Sequence, residues 1–161
     1  MKNNQQFVIT RVALLFFILL NAFSFTAKRD FYQIKIYHLK DKAQENRLDQ
    51  FLQNAYLPAL HRVGISKVGV FKPIVETGAA EPGELLLYVF IPFKSEKDFF
   101  TLESKLLKDK IFTSAAKDYL DAAYNNPPYT RIESILLTAF KDQPNFMLPA
   151  LKSPKSERVY E

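Results

Sequence analysis

The sequence predicts an α+β fold, an antiparallel sheet with its helices on one face. Three observations point there. Residues 31–39 (FYQIKIYHL) alternate with the period of two that a strand requires. The stretch that follows places Leu48, Phe51, Leu52, Ala55, Tyr56, Ala59, Leu60 and Val63 at helical spacing, one continuous apolar stripe. Further on, residues 84–93 (ELLLYVFIPF) and 130–140 (TRIESILLTAF) read as strands separated by helical sequence.

The elements follow in order. In the first strand Tyr32, Ile34, Ile36 and His38 share one face, assigned to the helix side. Phe31, Gln33, Lys35, Tyr37 and Leu39 share the other. Asp41 is placed to cap the long helix, with Gln44 as its capping-box partner. Pro58 is expected to bend that helix and Gly64 to end it. Residues 65–74 (ISKVGVFKPI) form the second strand, and 76–83 (ETGAAEPG) a turn-rich connection to the third. Ser95 with Asp98 opens the next helix, whose stripe includes Phe99, Leu102 and Leu106. Residues 111–123 continue in helical pattern until Asn125-Asn126-Pro127-Pro128 stops them. The order β-α-β-β-α-α-β matches a ferredoxin-like sheet. Because the third and fourth strands lack polar alternation, both sheet faces should be covered. Nothing within the domain is left for the second face, so a second copy giving a closed sheet-on-sheet barrel is the simplest cover.

The chain's 161 residues suit one domain, and 15 Phe and 8 Tyr supply a core. No cysteine is present, which excludes disulfides, thiolate nucleophiles and iron–sulfur clusters. Four glycines leave no phosphate-binding loop. Residues 12–27 (VALLFFILLNAFSFTA) are uncharged and follow Lys2 and Arg11, the pattern of a secretory signal. Residues 1–24 are assigned to it, with cleavage between about residues 22 and 27 and export to the periplasm or beyond. These 16 residues fall short of the ~20 that span a bilayer comfortably, so a membrane tie arises only if the signal stays uncleaved. Beyond the signal, 20 basic residues face 17 acidic ones. That balance is too even for nucleic-acid binding.

The stretch 31–71 resembles the NIPSNAP family, a branch of the dimeric α/β-barrel superfamily. The likeness rests on Tyr32, Ile34, Lys35, Tyr37 and Leu39, on Leu57-Pro58 late in the long helix, and on Lys67-Val68-Gly69-Val70-Phe71. It extends more weakly to residue 141, so residues 28–141 are read as one such domain. The resemblance implies an acidic residue, an arginine and a tyrosine pointing inward from the first strand. Here those places are taken by Gln33, Lys35 and Tyr37, so the acid is an amide and the arginine a lysine without a planar fork. The wider superfamily includes cofactor-independent monooxygenases, heme-handling enzymes and isomerases alongside members with no known activity.

Gln33, Lys35 and Tyr37, with Tyr88 joining from the third strand, are the candidate ligand-binding residues. Lys35 would offer a cation and Tyr37 a hydroxyl in a mostly apolar pocket suited to a small organic anion or a lipophilic molecule with one acidic group. The other reading has this row packed on a partner sheet and satisfied by Glu133 or Arg131. His38 reads as a strand-end histidine or, less simply, as a base or heme ligand, and His61 with Arg62 as complements to a helix dipole. No metal motif and no required cofactor emerges. Two functions stay open: a binding module, and a monooxygenase- or isomerase-type enzyme using the barrel cavity. The partner is a second copy or a tandem domain. Residues 142–161 read as a linker, with Pro144, Pro149 and Pro154, and Arg158-Val159-Tyr160-Glu161 echoes Asp30-Phe31-Tyr32-Gln33, as if a second similar domain began there.

Overall fold

Among the described residues four antiparallel strands form one sheet in the order β2-β3-β1-β4, an α+β, ferredoxin-like arrangement. The strands are β1 (Phe31–Leu39), β2 (Gly69–Phe71), β3 (Leu85–Phe93) and β4 (Arg131–Thr138). The computed structural model describes residues 28–73, 85–148 and Lys152. The signal segment, the 76–83 connection and the echo at 158–161 lie outside the described residues.

The helices are α1 (Lys42–Phe51), α2 (Leu57–Arg62), α3 (Glu96–Lys108), α4 (Lys110–Ala115) and α5 (Lys117–Leu120). Their ends follow local chemistry. Asp41 Oδ1 accepts the Gln44 amide at 2.9 Å, and the Gln44 side chain accepts the amide of Lys40, one residue earlier than a standard capping box. At the other end Gly64 has φ of 91°, the amide of Ile65 reaches the Leu60 carbonyl and that of Gly64 the His61 carbonyl. These paired bonds satisfy carbonyls that a bare helix end would leave open. Ser95 accepts the Asp98 amide to open α3.

The long helix does not run as one α-helix. Residues Leu52–Tyr56 form a π-helical turn between α1 and α2. Pro58 has no N–H to donate backward, and a widened turn just before it accommodates that loss within a continuous helical path. A second correction concerns residues 111–123, which fold as the two short helices α4 and α5, separated at Ala116 (φ −87°, ψ 4°). Asp109 opens α4 by accepting the amides of Ile111 and Phe112. The second strand is also shorter than expected, Gly69–Phe71 instead of 65–74. It pairs on one side with β3 alone, and Pro73 lacks the amide needed to continue a ladder. Lys72 beyond it bridges Glu45 and Asp49 of α1 at 2.7 and 2.6 Å, tying the sheet edge to the helix layer.

The central strand β1 is reversed relative to its sequence-based assignment. Phe31, Gln33, Lys35, Tyr37 and Leu39 face the helices, and Tyr32, Ile34, Ile36 and His38 face away. The register shows this: Tyr37 lies opposite Leu87 and Gln33 opposite Ile91, both fully buried in the helix-side core. Tyr37, Leu48, Leu60, Leu87, Val89 and Ile91 are its most deeply buried large side chains. Both rows of β1 are apolar enough to serve as a core face, so the alternation alone could not choose between them.

The far face of the sheet carries Ile34, Ile36, Leu86, Tyr88 and Phe90, all partly buried. Phe71, Ile135 and Leu137 on the same face are 59%, 41% and 42% exposed. The expected cover is partial among the described residues. Phe146 packs on Phe90 and Tyr32, with ring centroids 5.2 and 6.3 Å away. It is held there by Asp30, which is buried, accepts the Phe146 amide at 2.8 Å and pairs with Lys94 at 2.9 Å. The first residues of the expected linker are thus anchored to the sheet.

Candidate functional site

A cavity of about 390 Å³ opens between the helix-side face of β1 and the helices. Three consecutive residues of that face, Gln33, Lys35 and Tyr37, form its floor. The pleat brings them into line because alternate residues of a strand share a side. The wall comes from the π-helical turn and its neighbours: Phe51, Tyr56, Phe112 and Tyr119. Their rings lock together, Phe51 stacked on Tyr119 at 3.7 Å and 8° and on Tyr56 at 5.5 Å and 21°. Phe100, Glu103, Leu107 and Leu120 also line the cavity and are exposed, so they form its rim. Phe100 is 68% exposed.

The polar groups on the floor are held differently. Gln33 Nε2 donates to Ser134 Oγ of β4 at 2.7 Å, which fixes its amide. Lys35 has no carboxylate within salt-bridge distance among the described residues. Its Nζ lies 5.0 Å from the centre of the Tyr56 ring. Burial holds its pKa below the ordinary lysine value, with the Glu103 carboxylate acting in the opposite direction. Burial likewise raises the Tyr37 hydroxyl; the nearby Tyr56 adds to this and Tyr119 opposes it. Tyr119 is raised by burial and then by Tyr37, and Tyr56 by burial, then by Tyr119 and Glu103. The cavity therefore presents one ammonium and a set of neutral phenolic hydroxyls among aromatic rings, with the Glu103 carboxylate on its rim. The ammonium belongs to a half-buried side chain and faces the Tyr56 ring, which attracts a cation.

Of the residues singled out from the sequence, Gln33, Lys35 and Tyr37 come together here, in a cavity on the helix side and not between two sheets. Tyr88 does not join them. It pairs in register with Ile36, so it faces the opposite side of the sheet. Glu133 and Arg131 do not satisfy the row either. They pair with His38, Glu133 Oε1 lying 2.7 Å from both His38 Nε2 and the Arg131 guanidinium. His38 is 5% exposed on the far face, and so is not the surface histidine of the simpler expectation. His61 is exposed at the end of α2, as its reading as a dipole complement requires. Tyr56, Glu103 and Tyr119 were missed as site residues. Tyr56 and Tyr119 look like ordinary core aromatics in sequence; Tyr56 lies in the π-helical turn and faces Lys35, and Tyr119 follows the break at Ala116 and lines the same cavity. Among the described residues no group of three or more His, Asp or Glu side chains is placed to hold a metal ion.

Several solved structures are similar to this chain. A NIPSNAP family protein of unknown function from Agrobacterium tumefaciens is 17% identical, with a TM-score of 0.48, over 70% of this chain and 90% of that one. A dimeric ferredoxin-like protein of unknown function from Thermobifida fusca is 11% identical, with a TM-score of 0.43, over 72% and 96%. Hydroxynitrile lyase from Passiflora edulis is 16% identical, with a TM-score of 0.42, over 76% and 99%. The family named from the sequence is thus among those represented. No family model and no curated protein matches the sequence.

The lowered pKa of Lys35 has a consequence for stability. The folded protein binds this proton less tightly than the unfolded chain does, so the site costs stability at neutral pH. That cost disappears as pH rises through the lowered value toward the ordinary one, near 10.4. Lys35→Met is therefore expected to raise the urea midpoint at about pH 7 and to lose this advantage progressively as pH rises toward about 10.4. A variant less stable than the parent at neutral pH would contradict this account of Lys35.

Proposed function

We propose that the chain is an exported binding module that takes a small organic anion, or a lipophilic molecule with one acidic group, into the cavity around Lys35. The observation that carries this reading is the Lys35 ammonium, which faces an aromatic ring and among the described residues has no carboxylate within salt-bridge distance. A carboxylate on the ligand would pair with that ammonium, and the Tyr37 hydroxyl beside it would donate to its oxygens. The exposed apolar rim at Phe100, Leu107 and Leu120 suits a ligand with an apolar body. Export is proposed from the basic, then apolar, then small-residue pattern of residues 1–24.

Benzoate is a suitable probe. Titrated into the protein and followed by amide NMR, it should perturb residues 33–37 and the neighbourhood of Tyr119. Lys35→Met should weaken it by about tenfold or more, the scale of a lost charge-assisted contact. His61→Ala, far from the cavity, should leave it unchanged. Equal binding by the two variants, or binding that shifts only the far sheet face, would contradict the reading.

We also propose that two copies pair through the far face of the sheet. Phe71, Ile135 and Leu137 are exposed there beside the half-buried Ile34, Ile36 and Phe90, an apolar surface of the kind that sheets bury against a partner. Light scattering of the full chain without its signal should give twice the one-chain mass, and Leu137→Lys should give the one-chain mass. A parent protein that stays at one-chain mass at micromolar concentration rules the pairing out.

A further inference from the structure

β2 and β3 pair only as far as Gly69 opposite Phe90. The same register carried back would set Lys67 opposite Pro92, which has no amide to offer. Residues 64–68 are not part of the ladder, and a cavity of about 340 Å³ lies between them, the end of β3 and α3. That volume is on the scale of small-molecule sites. Of its lining residues only Leu102 is shared with the cavity around Lys35. Val63, Ile65, Phe93, Leu102 and Phe146 give it an apolar wall. Five charged side chains also line it. Lys94 and the buried Asp30 neutralise each other at 2.9 Å. That leaves Lys67 on the loop and Asp98 and Lys105 on α3. Among the described residues none of these three has an oppositely charged group within salt-bridge distance. Asp98 is half-buried, and its Oδ2 accepts the Ser95 hydroxyl at 2.7 Å, which orients the carboxylate and leaves Oδ1 for a ligand. Asp98 and Lys105 stand two turns apart on the cavity face of α3, and Lys105 leans back toward Asp98 because helical side chains tilt toward the N-terminus.

We infer that this second cavity binds an α-amino acid with an apolar side chain. The inference is independent of the ligand proposed for the cavity around Lys35. A simple anion placed here would meet the Asp98 carboxylate, and a simple cation would meet Lys67 and Lys105. A ligand with one ammonium and one carboxylate a few bonds apart pairs with all three. Its ammonium sits against Asp98 Oδ1, and its carboxylate takes up Lys67 and Lys105. The amides of Ser66 and Lys67, which no carbonyl accepts among the described residues, lie on the Lys67 side and are further donors for that carboxylate. The apolar wall then takes the side chain, so leucine or phenylalanine matches the cavity better than a polar amino acid does. Exposed lysines alone select little. The selection here comes from an oriented, half-buried carboxylate and an apolar wall in the same cavity as the two lysines.

The test is an amide NMR titration of the full chain without its signal, using L-leucine, 4-methylpentanoate and 3-methylbutylamine. The second probe lacks leucine's ammonium and the third its carboxylate. Leucine should shift the amides of residues 63–67, 93–94 and 98. Each truncated probe should bind at least about tenfold more weakly, the scale of one lost charge-assisted contact. Asp98→Asn keeps an acceptor for the Ser95 hydroxyl, and it should weaken leucine about tenfold without weakening 4-methylpentanoate. Lys35→Met should leave leucine binding unchanged while weakening benzoate in the other cavity, so the two sites stand or fail separately. Binding of 4-methylpentanoate as tight as that of leucine overturns the amino-acid ligand. An absence of shifts at residues 63–67 with leucine at about 10 mM overturns the site itself.

Discussion

Everything in this fold depends on how the central strand divides its side chains. β1 lies between β3 and β4 and bonds to both, so its pleat sets the register of the sheet's three long strands. One row of β1 packs against the helix layer and the other against whatever covers the far face. The helix-side row includes Tyr37 and Leu39, which anchor the core, and also Gln33 and Lys35, which are polar. A shift of one residue would send His38 inward and Lys35 outward, and would reverse the chemistry of both faces. The ladder on both sides of β1 keeps this from happening.

That division leaves a charge in a position that packing alone does not explain. A lysine on a core-facing row usually extends its ammonium to water or meets a carboxylate. Lys35 instead meets the Tyr56 ring, while Glu103 stands on the exposed rim. The aromatic wall exists because the helix widens to a π-turn before Pro58 and because Ala116 breaks the next helical stretch. Tyr56 lies in the first irregularity and Tyr119 follows the second. Local irregularities of the helices and the polar residues of β1 thus converge on one cavity, and this convergence is the reason to assign it a function.

Much of the fold was legible in the sequence because its signals are local. Asp41, Gly64 and Ser95 each end or begin a helix through bonds to backbone groups within a few residues, and those bonds are present. The four strands and their order in sequence were legible for the same reason. Asp109, which opens α4 by accepting two amides, was not read as a cap. The far-reaching features were not legible. Which row of β1 meets the helices depends on residues some 50 positions away, and Tyr32-Ile34-Ile36 is as apolar a set as Tyr37-Leu39. The same mistake of face placed His38 on the helix side and Tyr88 with Lys35. Gln33, Lys35 and Tyr37 were found because they share one row whichever way it points. Tyr56 and Tyr119 were missed because their roles depend on breaks in helix geometry that no periodicity shows.

The account stands or falls on the state of one ammonium. Lysine side chains can be followed individually by NMR of the carbon next to the nitrogen, titrated from about pH 6 to about pH 11 with Lys35→Met used to assign the signal. Lys35 should titrate below the group formed by the exposed lysines, and its midpoint should move back toward theirs when benzoate fills the cavity. A Lys35 signal that titrates with the exposed lysines, and that benzoate does not move, would show an ordinary solvated lysine and would contradict the site described above.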